Sequence, residues 1–191
     1  MAVDFTRVNG QNPAYGRPVC LLRYSRYMGI TVRRAEPFDA RSVAEIHVQC
    51  WQEAFAHLVP AENLARLNVD QRERRWSEIL SSPGANIWLV LDGKKIVGFA
   101  GSSENREPDL PVDRELQALY VLASHLDTEA EQLLLGTVIG DSSAVLWIAD
   151  KSPRVLTFYI RNGFKADGTT KTGPIAGTDV LQRRMVRGAA K

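Results

Sequence analysis

Histidine, cysteine and clustered charge are the side chains best able to do chemistry, and each is sparse in this sequence. His47, His57 and His125 are scattered along the chain without metal-ligand spacing, so no metal is expected. His47 and Trp51 stand one turn apart on a predicted helix, and His125 falls in a predicted turn. Cys20 and Cys50 make no disulfide framework and suit a reducing, cytosolic compartment. Cys50 lies mid-helix, where a small core residue is expected. Arg72, Arg74 and Arg75 form a basic cluster that reads either as a solvated helix face or as an anion site. Asp127, Glu129 and Glu131 make an acidic turn. Within it, Thr128-Glu129-Ala130-Glu131 matches the capping box S/T-x-x-E, so the helix it opens is expected to satisfy its own first N–H groups.

Composition narrows the choices. A chain of 191 residues, 45% hydrophobic and 24% charged, is one ordinary globular domain with enough length to bury a core. A net charge of +2 implies no general attraction to nucleic acid. Residues 1–28 carry a net +3, which leaves the remainder near −1. No apolar run is long enough for a membrane span, and no apolar segment with a small-residue cleavage site marks a signal peptide. The expected division is an N-terminal extension over 1–28, flexible or packed on the domain or a partner, and one domain over 29–191. Met28 offers an alternative start.

The elements that must position these residues follow from periodicity and punctuation. Ile30–Arg34 reads as a strand, and Asp39 as the N-cap of a helix through about Ala56. Ala61–Leu67 is a short helical turn. Asp70 and Glu73 make a capping pattern for a helix over Gln71–Leu80, and Ser81-Ser82-Pro83-Gly84 stops it. Asn86–Leu91 and Lys95–Gly101 form a hairpin around Asp92-Gly93. Ser102–Asp113 is a polar loop. Glu115–Val121 alternates as a strand, Ser124–Thr128 turns, Glu129–Ile139 has helical spacing, and Ala144–Ala149 is a second apolar strand. This strand-helix-strand unit needs a right-handed crossover and parallel pairing. Pro153–Arg161 is a short helix stopped by Gly163. Lys165–Lys171 and Val180–Arg187 form a closing pair across a loop at Gly173–Gly177.

The run ELQALYVLASH, followed by LWIADKSPRVLTFYIRNGF, resembles the core of the GNAT N-acetyltransferases. Bacterial members typically read ELYALYV, a short glycine loop, a helix, LWV, an Asn, and RFYERxGF. The resemblance runs from about Ile30 to Arg187. It implies an α/β (α+β) fold: a mixed, twisted central sheet of about six to seven strands with helices on both faces. It further implies that the fourth and fifth strands splay and that the backbone of Leu119, Tyr120, Val121 and Leu122 meets the pantetheine arm of acetyl-CoA. By the same resemblance Glu115 is the base that takes the proton of an amine nucleophile. Tyr159 is the acid that protonates the departing thiolate, and Ser152 stands where many members contact CoA with an asparagine. His47 and Trp51 fall near the family's amine pocket.

One segment departs from the family. The loop Arg/Gln-x-x-Gly-x-Gly/Ala that binds the CoA diphosphate aligns with Leu126–Gln132, where this chain has no glycine and carries Asp127, Glu129 and Glu131. Carboxylates there oppose a diphosphate by Coulomb repulsion, roughly 4 kcal/mol per pair of charges at 4 Å and an effective dielectric of about 20. Two functions therefore stay open. One is acetyl transfer from acetyl-CoA to a primary amine of a small molecule or protein. The other is a catalytically impaired member of the fold that binds CoA weakly and serves as a binding or homodimeric module.

Overall fold

The computed structural model describes residues 29–189, so the expectation for residues 1–28 lies outside the described residues. The elements are β1 (Ile30–Arg34), α1 (Ala40–Ala54), α2 (Ala61–Ala65), α3 (Val69–Ser81), β2 (Ile87–Asp92), β3 (Lys95–Glu104), β4 (Arg114–Val121), α4 (Glu129–Ile139), β5 (Ala144–Ala149), α5 (Pro153–Arg161), β6 (Lys165–Ile175) and β7 (Thr178–Arg187). Seven strands form one sheet in the order β1-β2-β3-β4-β5-β7-β6. Only β4 and β5 run parallel; the other neighbours are antiparallel. Helices cover both faces: α1, backed by α3, lies on β3 and β4, and α4 lies on β2, β3 and β4. The core between these layers holds Val43, Leu89, Phe99, Leu134, Val145 and Met185, all essentially inaccessible.

The parallel pair is the decisive feature. β4 and β5 are in register only at Arg114↔Ala144 and Glu115↔Val145. Beyond that point β4 stays with β3 as far as Gly98↔Val121, and β5 stays with β7 as far as Ala149↔Gln182. Each arm is held by its outer neighbour, so the sheet opens between them. Asp113 and Ser143 clamp the closed end. The Ser143 hydroxyl donates to Asp113 Oδ2 at 2.6 Å and accepts from Asp113 N at 2.8 Å, while Arg114 N donates to Ser143 O at 3.1 Å.

Local capping differs from the expected pattern in two places. Asp39 precedes α1, but its carboxylate caps nothing on that helix. It is 4% exposed and accepts from Arg33 Nη1 and Nη2, both at 2.7 Å, and from Glu36 N at 2.9 Å. A full positive charge from β1 outcompetes the partial charge of a helix end. The N-cap of α3 is Asn68, whose side chain accepts from Gln71 N at 2.9 Å. Asp70 and Glu73 both turn instead to Arg41 of α1.

The closing hairpin is tighter than the composition of Gly173–Gly177 suggests. β6 continues through Pro174, which an edge strand tolerates, and the turn is Ala176-Gly177, both with positive φ as a two-residue hairpin requires. In the sheet centre, Gly98 is required by close approach. A Cβ there would stand 2.6 Å from Tyr120 O and 2.9 Å from Val121 Cγ2. Gly98→Ala is expected to force β3 off β4 and destabilise the fold by about 1–3 kcal/mol. An unchanged thermal midpoint would show that the strands absorb the methyl group without strain.

Candidate functional site

The opening between the arms of β4 and β5 is a cleft of about 660 Å³, within the range of small-molecule sites. Its floor and sides come from Glu115–Val121 on one arm and Leu146–Ala149 on the other, with α5, the end of α1 and β6 around them. Past Glu115, the β5-facing edge of β4 has no strand partner. Backbone N–H and C=O groups on such an edge need partners, and an amide-bearing chain entering the cleft supplies them in the manner of an added strand. Leu119, Tyr120 and Val121 border the cleft as expected. Leu122 does not: it is 3% exposed in the core and gives its N–H to Val97 O at 2.9 Å.

Glu115, on β4, and Tyr159, on α5, both line the cleft. Glu115 sits where the arms begin to part; its nearest cation is the exposed Arg106, 3.8 Å away. Tyr159 is 6% exposed, held edge-on between Phe158 and Phe164 at centroid distances of 5.2 and 5.4 Å. Burial raises the pKa of its phenol, the neighbouring Tyr120 and Glu131 add to the rise, and Arg154 opposes it. The phenol therefore stays protonated at neutral pH. Ser152 lines the cleft too. It is the N-cap of α5, yet its hydroxyl makes no capping bond, and Pro153 follows it at the first helical position.

At the other end of the cleft lies the acidic turn, and tertiary structure changes its charge. Glu131, 6% exposed, accepts from Arg154 Nη2 at 3.0 Å and Nη1 at 3.1 Å, a fork-to-fork pair. Asp127 also lies 3.8 Å from Arg154, but its side chain is 86% exposed and points to solvent. Glu129 is the remaining carboxylate. The expected capping box does not form: Thr128 Oγ1 accepts from Ala130 N, one position short of the N–H of Glu131, at 3.2 Å, and Glu131 reaches Asp127 N at 3.4 Å rather than the N–H of Thr128. Asp127 takes a positive φ of 60°, a conformation that Asp tolerates better than most residues. Arg154, itself a wall residue of the cleft, is thus a cation at this end that no local spacing announces. It comes from α5, 23 positions after Glu131.

The end of α1 and the turn after it tie the two arms together. Glu53 Oε2 accepts from Ala123 N, just past β4, at 2.9 Å. His57 Nε2 meets Lys151 O, just past β5, at 2.7 Å. Neither residue carries a sequence signal for this. On the β6 side Lys171 Nζ stands 3.8 Å over the Trp147 ring, and both line the cleft. Behind them, Arg184, 5% exposed, gathers Asp167 at 2.7 Å, Asp109 at 2.8 Å and Glu107 at 3.5 Å.

Of the pair expected near an amine pocket, Trp51 lines the cleft and His47 does not. Both lie on α1, but His47 turns toward α3, where it accepts from Trp76 Nε1 at 3.1 Å. Burial and the adjacent Arg72 push its pKa down to about 3, so it is neutral. His125 faces Asp92 at 3.3 Å, outside the cleft. Burial pushes the Cys50 thiol up to about 12, the state of an inert core residue. Among the described residues no His, Cys, Asp and Glu group is arranged to hold a metal, and no helix is long and apolar enough to cross a membrane.

No family model matches the chain. Curated relatives do: a Bacillus subtilis protein named as an uncharacterized N-acetyltransferase, YuaI, is 28% identical over 137 residues, covering 68% of this chain and 77% of its own. A GCN5-related N-acetyltransferase from Rhodopseudomonas palustris superposes with a TM-score of 0.63 at 20% identity, over 84% of this chain and 96% of its own. The protein yncA from Salmonella typhimurium, solved with its cofactor acetyl-CoA, superposes with a TM-score of 0.61 at 18% identity, over 85% of this chain and 95% of its own. In its parted parallel strands and its fold, the chain is similar to the GNAT N-acetyltransferases, and its curated relatives are named N-acetyltransferases.

Proposed function

We propose that this protein transfers an acetyl group from acetyl-CoA to a primary amine of a small molecule or a protein, in a cytosolic setting. The observation that carries this reading is the unpartnered edge of β4 facing a cleft that also contains Glu115 and Tyr159. The pantetheine arm pairs with the backbone of Leu119, Tyr120 and Val121, with Ser152 across the cleft. An alkyl ammonium has a pKa near 10, close to that of lysine, so the nucleophile must give up a proton. Glu115 takes it, directly or through water. As the amine nitrogen bonds to the acetyl carbon and the carbon–sulfur bond breaks, Tyr159 donates its O–H to the departing sulfur.

The acidic turn opposes this reading less than its sequence suggests. Glu131 is neutralised by Arg154, and Asp127 is exposed enough for salt and water to screen it. Arg154 shares its charge with Glu131, so it lowers the repulsion on a phosphate at this end of the cleft and is not a free cation for it. The thermal midpoint measured with millimolar acetyl-CoA tests the reading. A ligand at a hundred times its Kd stabilises the native state by about 2.7 kcal/mol, or about 5–10 °C for a domain of this size. A rise of that order, with amine-dependent release of free thiol, is expected. The absence of both in folded protein would favour a member of the fold that serves as a binding module.

A further inference from the structure

A second cavity of about 430 Å³ lies between α1, the Arg66–Asn68 turn and α3. Its rim carries three guanidinium groups, Arg66, Arg72 and Arg75, and no carboxylate lines it. Leu67, Trp76 and Ile79 form its apolar wall. Arg75 has an exposed partner, Glu78, at 3.3 Å. Arg72 pairs with no carboxylate among the described residues, and its Nε is buried without a hydrogen-bond partner.

The groups around Arg72 do not replace a counter-charge. Its Cζ lies 4.2 Å over the Trp51 ring, which offers a weak cation–π contact. Its Nη1 is 3.4 Å from both ring nitrogens of His47. His47 is neutral, and its Nδ1 already accepts from Trp76. Nε2 then carries the ring proton and has no lone pair to give. A half-buried cation in this state is costly unless something anionic meets it.

We propose that this cavity binds a small organic carboxylate, its apolar or aromatic body against Leu67, Trp76 and Ile79 and its carboxylate on Arg72, with Arg66 and Arg75 at the rim. A guanidinium that has no carboxylate partner suits a carboxylate, to which its terminal N–H groups can donate. The apolar wall rewards a body that a bare inorganic anion lacks. Arg74, exposed and absent from the cavity wall, is the solvated member of the basic cluster. The cavity adjoins the acetyl-transfer cleft through the contacts of Arg72 and His47 with Trp51, but the proposal does not rest on that reading.

Benzoate is a suitable probe, titrated into uniformly ¹⁵N-labelled full-length chain while the indole N–H resonances are followed. Trp76 reports on the cavity; Trp147, whose Nε1 donates to Glu107 at 2.8 Å beside the main cleft, is the internal control. Saturable movement of the Trp76 resonance with Trp147 unmoved is expected. Inorganic phosphate and benzyl alcohol should each bind more weakly than benzoate, because each supplies half of the recognition. Arg72→Met should raise Kd about tenfold or more, the range for one charge-assisted contact, and Arg74→Gln should leave it unchanged. If Arg72→Met does not fold, Arg75→Gln at the exposed rim should still weaken benzoate several-fold. Any one of four results overturns the proposal: no saturable Trp76 shift, equal affinity for benzyl alcohol, tighter binding of phosphate, or a shift of Trp147 in step with Trp76.

Discussion

Tyr159→Phe is expected to bind acetyl-CoA as the parent does and to turn over about 10²-fold more slowly. The substitution removes one oxygen, while the ring keeps its packing against Phe158 and Phe164. Stability should therefore hold and any loss falls on chemistry. General acid catalysis contributes about 10²–10⁴-fold. The lower figure applies because burial raises the phenol pKa and makes it a weak acid toward a thiolate whose own pKa is about 8.5. Comparison of kcat with KM separates this from a binding role. Glu115→Gln complements it: its deficit should grow as pH falls, since free amine then becomes scarce and base assistance matters more. Parent-like kcat in Tyr159→Phe would remove the phenol from the reaction.

Asp39→Ala is expected to lower stability by about 2–3 kcal/mol, a fall of about 4–12 °C in the thermal midpoint. The variant strips a 4%-exposed carboxylate that satisfies two N–H groups of Arg33 and the N–H of Glu36. The hydrogen bonds from Arg33 hold the Asp39 carboxyl below the usual carboxylate range, against the opposing effect of burial. Its folded pKa is thus lower than its unfolded pKa of about 3.9. The contribution is fully present above the unfolded value and is lost as pH falls through the folded one. Parent and variant should accordingly differ most near neutrality and converge in acid. Urea midpoints measured from pH 7 down to pH 3 test this, and a difference that stayed constant across that range would separate the effect from ionisation of Asp39.

The order and type of the elements were legible because each rests on local physics. Alternation marked β4, helical spacing and a C-terminal glycine marked α5, and Asp92-Gly93 marked the β2–β3 turn, where Gly93 takes the positive φ such a turn needs. The parallel placement of β4 and β5 followed from the crossover rule. Details of pairing were less accessible, because side chains with two available partners choose by charge. Asp39 has the composition of an N-cap and Asp70 and Glu73 that of a capping pair, yet arginines from β1 and α1 claim all three.

The candidate site divides along the same line. The sequence by itself determined which strand and which helix carry Glu115, Tyr159 and the backbone of Leu119–Val121, since these lie within single elements whose periodicity assigns their faces. Only the tertiary structure decided the charge at the acidic turn. Three carboxylates in one short turn read as repulsive when counted along the chain, but Arg154 enters from another helix and pairs with the buried one. Tertiary structure also sorted His47 and Trp51, whose rings touch edge-on at 5.0 Å, into different cavities, one edged by arginines and the other the cleft. The reason in both cases is that Coulomb interactions and burial depend on distance through space, and a sequence records distance only along the chain.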